Sequence, residues 1–447
     1  MKLLLIAMSG VRAWSEELNA IGLTMPGVIE RKQVVASMPS LGLLTLAGMT
    51  DDDVDVTYHE IADLRKTPQL PDGFDLVAIS SFTAQIKDAY QVAAHYRAAG
   101  TPVIMGGLHV TVLPDEAARH CTSIVVGEAE PVWHEVIADA RRGELRPRYA
   151  ATNGHATFNL DDSPMPRFSL LDIDKYNRIP VQTSRGCPHS CDFCASSILL
   201  TPRYSVKPVE HVIAEIHEIK RHWSRPFLEF ADDNSFVHRK HYKNLLREIA
   251  KEDVKWFTEA DVSVAEDADL IDLMRASGCR QALIGLESPR SSGLDGVETR
   301  RNWKLKMLDR YEAAVRAIQS RGVTVNGCFI LGLDGEGPEV FDAIYDFADR
   351  TNLFEIQITV MTPFPGTPLY ARLEREGRLL APGAWERCTL FDVNFIPTNM
   401  SPEELQQGLV DLGKRLYDPT FVQKRREGYF ANLDRSIRHT AHGTSNE

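Results

Sequence analysis

Three cysteines stand close together in the run Thr183-Ser184-Arg185-Gly186-Cys187-Pro188-His189-Ser190-Cys191-Asp192-Phe193-Cys194. Their spacing, C-x3-C-x2-C, gathers Cys187, Cys191 and Cys194 into one loop. Three thiolates on a loop suit a soft metal. On a four-iron cube, three protein ligands leave one iron open, and an open position is where a metal meets a substrate. Structural zinc is one alternative, but it wants a fourth ligand. His189 sits inside the triplet, where ligation alongside both neighbouring cysteines is awkward. A cluster used only for electron transfer would normally take four cysteines. Buried cysteines clustered by chance have no reason to collect in a loop rich in glycine and proline.

The elements that must position this loop can be read from hydrophobic patterning. From residue 2 to about 145, strand candidates at Lys2–Ala7, Val54–His59, Leu76–Ser80, Pro102–Met105 and Ser123–Val126 alternate with helical stretches. Strands alternating with helices build a parallel sheet covered on both faces. Five strands predict a flavodoxin-like doubly wound domain over residues 1–145. Prolines 147, 164, 166 and 180 and Asn153-Gly154 predict a linker over 146–180. Alternation then resumes. Strands are expected at Val181–Ser184, Phe227–Ala231, Lys255–Ala260, Ala282–Leu286, Thr324–Leu331 and Glu355–Thr362. Six β/α units within residues 181–368 fall short of an eight-unit barrel, which takes about 250 residues, so a partial (β/α)6 barrel is expected. Residues 369–447 read as a small, mostly helical extension whose polar last residues are expected to be disordered. Ser401-Pro402-Glu403-Glu404 in it has the capping-box pattern.

Composition bounds the function. The chain has 447 residues, 43% hydrophobic and 25% charged, as soluble globular proteins do. Its net charge of −12 argues against a nucleic-acid partner. No stretch is apolar enough to span a membrane. The opening Met1–Ala7 reads as a strand rather than a signal peptide. A cytoplasmic protein is therefore expected, with its seven cysteines free, metal-bound or catalytic.

The spacing C-x3-C-x-Phe-C, following the first strand of a six-unit barrel, resembles the signature of the radical S-adenosylmethionine superfamily. The resemblance implies a [4Fe–4S] cluster on Cys187, Cys191 and Cys194, with its open iron chelated by the amino and carboxylate groups of S-adenosylmethionine. It implies that a reduced cluster splits this sulfonium and that a 5′-deoxyadenosyl radical then takes hydrogen from a substrate. Phe193 would lie near the adenine. Functional groups in barrels sit at the C-terminal strand ends. Asp232 and Asp233 end the second strand, where the family binds the methionyl ammonium; alone, either acid could equally be a helix cap. Glu259 and Asp261 end the third strand. Glu287 and Ser288 end the fourth, within reach of the ribose or the methionyl carboxylate. Gly327 and Gly332 bracket the fifth, where bare backbone could approach the adenine. Arg203 could pair with a carboxylate or simply be a surface cation.

A doubly wound domain binds ligands beyond its C-terminal strand ends. Four loops there offer hydroxyls and bare amides: Met8-Ser9-Gly10, Ser80-Ser81-Phe82-Thr83, Gly106-Gly107-Leu108-His109 and Gly127-Glu128-Ala129-Glu130. With Pro39-Ser40-Leu41-Gly42-Leu43 and the later Thr362-Pro363-Phe364-Pro365-Gly366, they resemble the cobalamin-binding subgroup of that superfamily. The resemblance covers nearly the whole chain except its last two dozen residues and implies cobalamin (B12) as a further cofactor. The D-x-H-x-x-G motif that supplies an axial histidine in many cobalamin domains does not occur here. His59 and His109 lie nearest in kind, without that context, and the lower axial ligand is not legible.

The resemblance implies a C-methyltransferase: methylcobalamin delivers a methyl group to an unactivated carbon of a small molecule of natural-product, lipid or tetrapyrrole type. The alternative is a cyclase or ring-rearranging enzyme with the same cofactors and no methyl transfer. A tRNA methylthiotransferase would need three further N-terminal cysteines, where this chain has only Cys121. A cobalamin- or redox-sensing protein would need neither an open iron nor barrel acids. A flavodoxin or ferredoxin reductant and a monomer are expected. Trp385, Phe391, Phe395 and Tyr370 are candidates for a substrate pocket or for core.

Overall fold

The computed structural model describes residues 1–9, 13, 17–18, 38–67, 69–151, 158–195 and 204–434. The Gly10 and Arg203 expectations, and the tail expected to be disordered, lie outside the described residues.

The first sheet comprises β1 (Lys2–Met8), β2 (Asp55–Ile61), β3 (Leu76–Ser81), β4 (Val103–Gly106), β5 (Ser123–Val126) and β6 (Arg148–Ala150). All pairs are parallel, in the order β2-β1-β3-β4-β5-β6. Side chains alternate across a strand, and β1 shows the consequence. Leu4, Ile6 and Met8 enter one core while Leu3, Leu5 and Ala7 enter the other, on the opposite face. Each such buried leucine stabilises the fold by about 1.5–3 kcal/mol. A strand of this kind must be apolar throughout, as β1 is.

The second sheet contains β7 (Ile179–Val181), β10 (Phe227–Phe230), β11 (Lys255–Ala260), β12 (Cys279–Glu287), β13 (Thr324–Leu331) and β14 (Glu355–Val360), while β8 (Ser184–Arg185) and β9 (Ser205–Val206) form a separate antiparallel pair. The six strands are parallel and lie in sequence order from β7 to β14. The two edge strands do not pair, so the barrel is partial, as expected.

Three features differ from the sequence reading. First, Arg148–Ala150 joins the first sheet as a sixth strand although it falls in the expected linker. Three residues are too few to show a period. Second, the first barrel strand ends at Val181 rather than Ser184. The amides of Thr183 and Ser184 turn away to donate to Asp232 Oδ1, at 2.7 and 2.8 Å. Third, the segment between the sheets packs closely. Arg167 N donates to Leu44 O at 3.0 Å, and a Cβ on Gly48 would sit 2.0 Å from the Met165 carbonyl oxygen.

The C-terminal extension carries helices Pro368–Arg375, Pro402–Leu416 and Pro419–Asn432. Ser401 Oγ accepts from Glu404 N, and Glu404 Oε2 accepts from Ser401 N, which completes the expected capping box.

Candidate active site

Two cavities lie at the C-terminal ends of the two sheets. The barrel cavity, about 340 Å³, is lined by Cys187, Cys191, Cys194 and Phe193 together with Asp233, Asn234, Glu259, Asp261, Glu287 and Lys304. The other, about 330 Å³, lies over the first sheet and is lined by Gly106, Gly107, Gly127 and Glu128. Barrel residues close its far side: Gln182, Arg185, Ala231 and Asp233. Asp233 therefore borders both cavities.

The cysteine loop is fixed from outside itself. Gly186 N donates to Asp233 Oδ2 at 2.7 Å. Asn234 Nδ2 reaches Cys187 Sγ at 3.6 Å and donates to Asp261 Oδ2 at 2.9 Å. His189 Nε2 contacts Asp261 Oδ2 at 3.0 Å, and its ring stacks on Trp303 at 4.2 Å. With one nitrogen and one face so engaged, His189 serves as a brace for the loop. Burial opposes ionisation of Asp261, but hydrogen bonds from His189, Asn234 and Ser263 outweigh it and hold the carboxyl well below its usual range. Burial pushes the Cys187 and Cys191 thiols up. Thiols in such surroundings ionise when a cation displaces their protons. Cys187, Cys191 and Cys194 line the same cavity, and three thiolates from one loop suit a cube that takes one iron at each.

The expected acids divide. Asp232 is 5% exposed and does not reach the cavity. Its oxygens accept from Thr183 N, Ser184 N, Thr183 Oγ1, Ser235 Oγ and Tyr242 OH. It anchors the chain just before the cysteines. Glu259 does face the cavity, and burial, with Glu229 and Asp233 nearby, pushes it up to about 7. Glu287 stands at the end of β12 with φ +61° and pairs with Lys304 Nζ at 2.7 Å. Ser288 is fully buried and turned away, its Oγ accepting from Arg290 N at 3.1 Å. Gly327 and Gly332 are also outside the cavity. A Cβ on Gly327 would come within 2.6 Å of Leu353 Cδ2, and one on Gly332 within 2.7 Å of Leu405 Cδ2. Gly327 lets Leu353, just past the helix that ends at Thr351, pack closely on the barrel, and Gly332 does the same for Leu405 of the helix Pro402–Leu416. On β13 the alternate residues Cys328 and Ile330 face inward.

In the first sheet, Gly106, Gly107, Gly127 and Glu128 come together around the second cavity. Gly107 and Gly127 have φ +103° and +83°, and a Cβ on Gly127 would meet nothing within 4 Å. Only backbone conformation demands glycine there, and the result is an open floor above Ala78, Ile104 and Val125. That broad apolar floor with bare amides fits a flat macrocycle. Ser9, Ser81 and Thr83 are buried and do not line it; Ser80 does. His109 is fully buried, with Nε2 3.2 Å from Glu116 Oε1 and its ring edge-on to Trp385. Neither His109 nor His59 lines the cavity.

Three of the four aromatics are core, and Tyr370 is half-buried against it. Trp385 donates from Nε1 to Glu116 Oε2 at 3.1 Å and packs with Tyr370 against the first domain; Phe391 and Phe395 are buried in the barrel core. The residues missed from sequence are Lys304, Asn234, Cys328 and Arg185. For Cys328 the signal was its strand phase, in step with Ile330. For Lys304 nothing local distinguishes it from any helical lysine.

The Radical SAM superfamily matches residues 181–348, the B12 binding domain residues 31–137, and a domain of unknown function, DUF4070, residues 367–446. Bacteriochlorophyllide d C-12(1)-methyltransferase of Chlorobaculum tepidum is 30% identical over 399 residues, 88% of this chain and 85% of that protein. Bacteriochlorophyllide d C-8(2)-methyltransferase of the same organism is 27% identical over 325 residues, 70% of this chain and 71% of that protein. Among solved structures, the radical S-adenosylmethionine methyltransferase TsrM of Kitasatospora setae, with cobalamin and a [4Fe–4S] cluster bound, aligns with TM-score 0.68 at 17% identity, covering 94% of this chain and 89% of that one.

Proposed function

The chain belongs to the cobalamin-binding radical S-adenosylmethionine enzymes, and we propose that it is a C-methyltransferase acting on an unactivated carbon of a small molecule. Its cofactors are a [4Fe–4S] cluster, S-adenosylmethionine and cobalamin. The observation that carries the reading is the adjacency of the two cavities: Asp233 lines both, so the cavity lined by the cysteines adjoins the one over the first sheet. When bound, these groups supply a hydrogen-abstracting 5′-deoxyadenosyl radical and a transferable methyl group.

The residues divide the work. Cys187, Cys191 and Cys194 hold the cluster, and Asn234 and Asp261 fix their loop. Phe193, which lines the same cavity, would lie near the adenine. Asp233, Glu259 and Glu287 would hold the polar groups of S-adenosylmethionine, and Lys304 orients Glu287 through a contact of 2.7 Å. Gly106, Gly107, Gly127 and Glu128 cradle cobalamin. Leu283, Ile330, Met361, Phe364 and Leu390 give the barrel cavity an apolar wall, which favours a large apolar substrate. Two methyltransferases named for bacteriochlorophyllides among the relatives make the tetrapyrrole type the first class to try.

Among the described residues no helix is long and apolar enough to cross a membrane. A cytoplasmic monomer served by a flavodoxin or ferredoxin completes the proposal. The test is anaerobic reconstitution with iron, sulfide and hydroxocobalamin, then turnover with candidate substrates. A product heavier by one methyl group supports the reading. Turnover of S-adenosylmethionine with a product lacking that gain overturns it in favour of cyclisation or rearrangement.

A further inference from the structure

A strap formed by residues 297–301 lies against the outside of the cysteine loop. Asp192 N donates to Val297 O at 3.0 Å, and Thr299 donates to Ser190 O through both N and Oγ1, at 3.0 and 2.9 Å. Cys191 and Glu298 form an antiparallel bridge. The Glu298 side chain, in a residue 3% exposed, accepts from the amides of Ser190, Arg300, Arg301 and Trp303. One buried carboxylate thus locks the strap backbone to the loop. The side chains of Arg300 and Arg301, and of Lys306 just beyond, are exposed. Asp295, an acid on the same segment, is held by Asn302 Nδ2 at 2.6 Å.

Three exposed cations therefore sit on the strap hydrogen-bonded to the cysteine loop and on the helix that follows it, Trp303–Met307, in a chain of net charge −12. The inner face of that loop lines the barrel cavity, so an external electron donor must approach from outside. We propose that Arg300, Arg301 and Lys306 form the docking surface for a small acidic one-electron carrier protein. Long-range attraction between opposite charges accelerates such encounters and weakens with salt. The step is an outer-sphere transfer: the carrier loses one electron, the cluster gains one, and no bond is made or broken. The inference rests on the functional reading above, since only a cluster that must be reduced needs the carrier.

The test compares the reconstituted holoenzyme with its Arg300→Glu/Arg301→Glu variant, following bleaching of cluster absorbance without substrate. Reduced flavodoxin is one donor and dithionite the other. The expected result is an about tenfold slower reaction with flavodoxin at low salt, converging with wild type at high salt, and no comparable change with dithionite. Equal rates with flavodoxin overturn the surface, as does equal slowing with both donors. Lys306→Glu alone should give a smaller loss of the same kind; if the double variant loses iron, this single variant decides. Wild-type protein that assembles no cluster removes the functional reading itself, an outcome distinct from a cluster that flavodoxin reduces equally well in variant and wild type.

Discussion

Arg185 Nη1 lies 2.5 Å from Glu128 Oε1, joining the strand that leads to the cysteines to the loop that floors the other cavity. Nη2 of the same side chain reaches Glu130 Oε1 at 2.8 Å. The arginine side chain is 16% exposed and the two glutamates 10% and 12%. Burial disfavours the charge, but Glu130 and Glu128 together hold the guanidinium firmly protonated.

Removing one partner of a buried ion pair leaves the other uncompensated and costs about 3–5 kcal/mol. Arg185→Met should therefore lower thermal stability and loosen cobalamin. Cobalt retained after gel filtration is expected to fall while the iron content of reconstituted protein stays near wild type. Loss of iron with cobalt retained would show that Arg185 supports the cysteine loop instead.

Asp232 and Asp233 are adjacent but do different things. Asp232→Asn places an NH2 donor among groups that already donate, and should cost about 2–4 kcal/mol of stability, read as a lower urea midpoint. Asp233→Asn keeps an oxygen able to accept from Gly186 N, so it should lower the midpoint less than Asp232→Asn while weakening S-adenosylmethionine binding, read by equilibrium dialysis. A reversed pattern would exchange the two assignments.

Glu336 is 1% exposed, and burial pushes its carboxyl up to about 7. A carboxyl raised in the folded state binds its proton more tightly there than when unfolded. Its contribution to stability is fully present below the unfolded value, about 4.3, and is lost as pH rises toward about 7. Glu336→Gln should match wild type at pH 5 and exceed it at pH 8 by about 2–3 kcal/mol. Denaturant titrations at the two pH values check this; an equal offset at both would remove the assignment.

Gly327→Ala should cost about 1–3 kcal/mol through overpacking against Leu353, with iron content and S-adenosylmethionine binding unchanged. Unchanged stability with weakened binding would return Gly327 to the adenine side.

The sequence by itself determined the chemistry and the architecture. Ligand number and spacing are local facts, so Cys187, Cys191 and Cys194 could be read without a fold. Strand-helix alternation is also local, and it placed most elements of both sheets to within a few residues. Tertiary structure decided which face each residue takes and which distant residue meets it. Asp232 and Asp233 are indistinguishable in sequence; the donors around Thr183 make one an anchor and leave the other between two cavities. Gly327 was read for its missing side chain, yet strand phase turns it outward and brings Cys328 in. Lys304 and Arg185 became visible only when folding set them against Glu287 and Glu128, 17 and 57 residues away. Burial of charge is a property of the packed whole, and no window of sequence carries it.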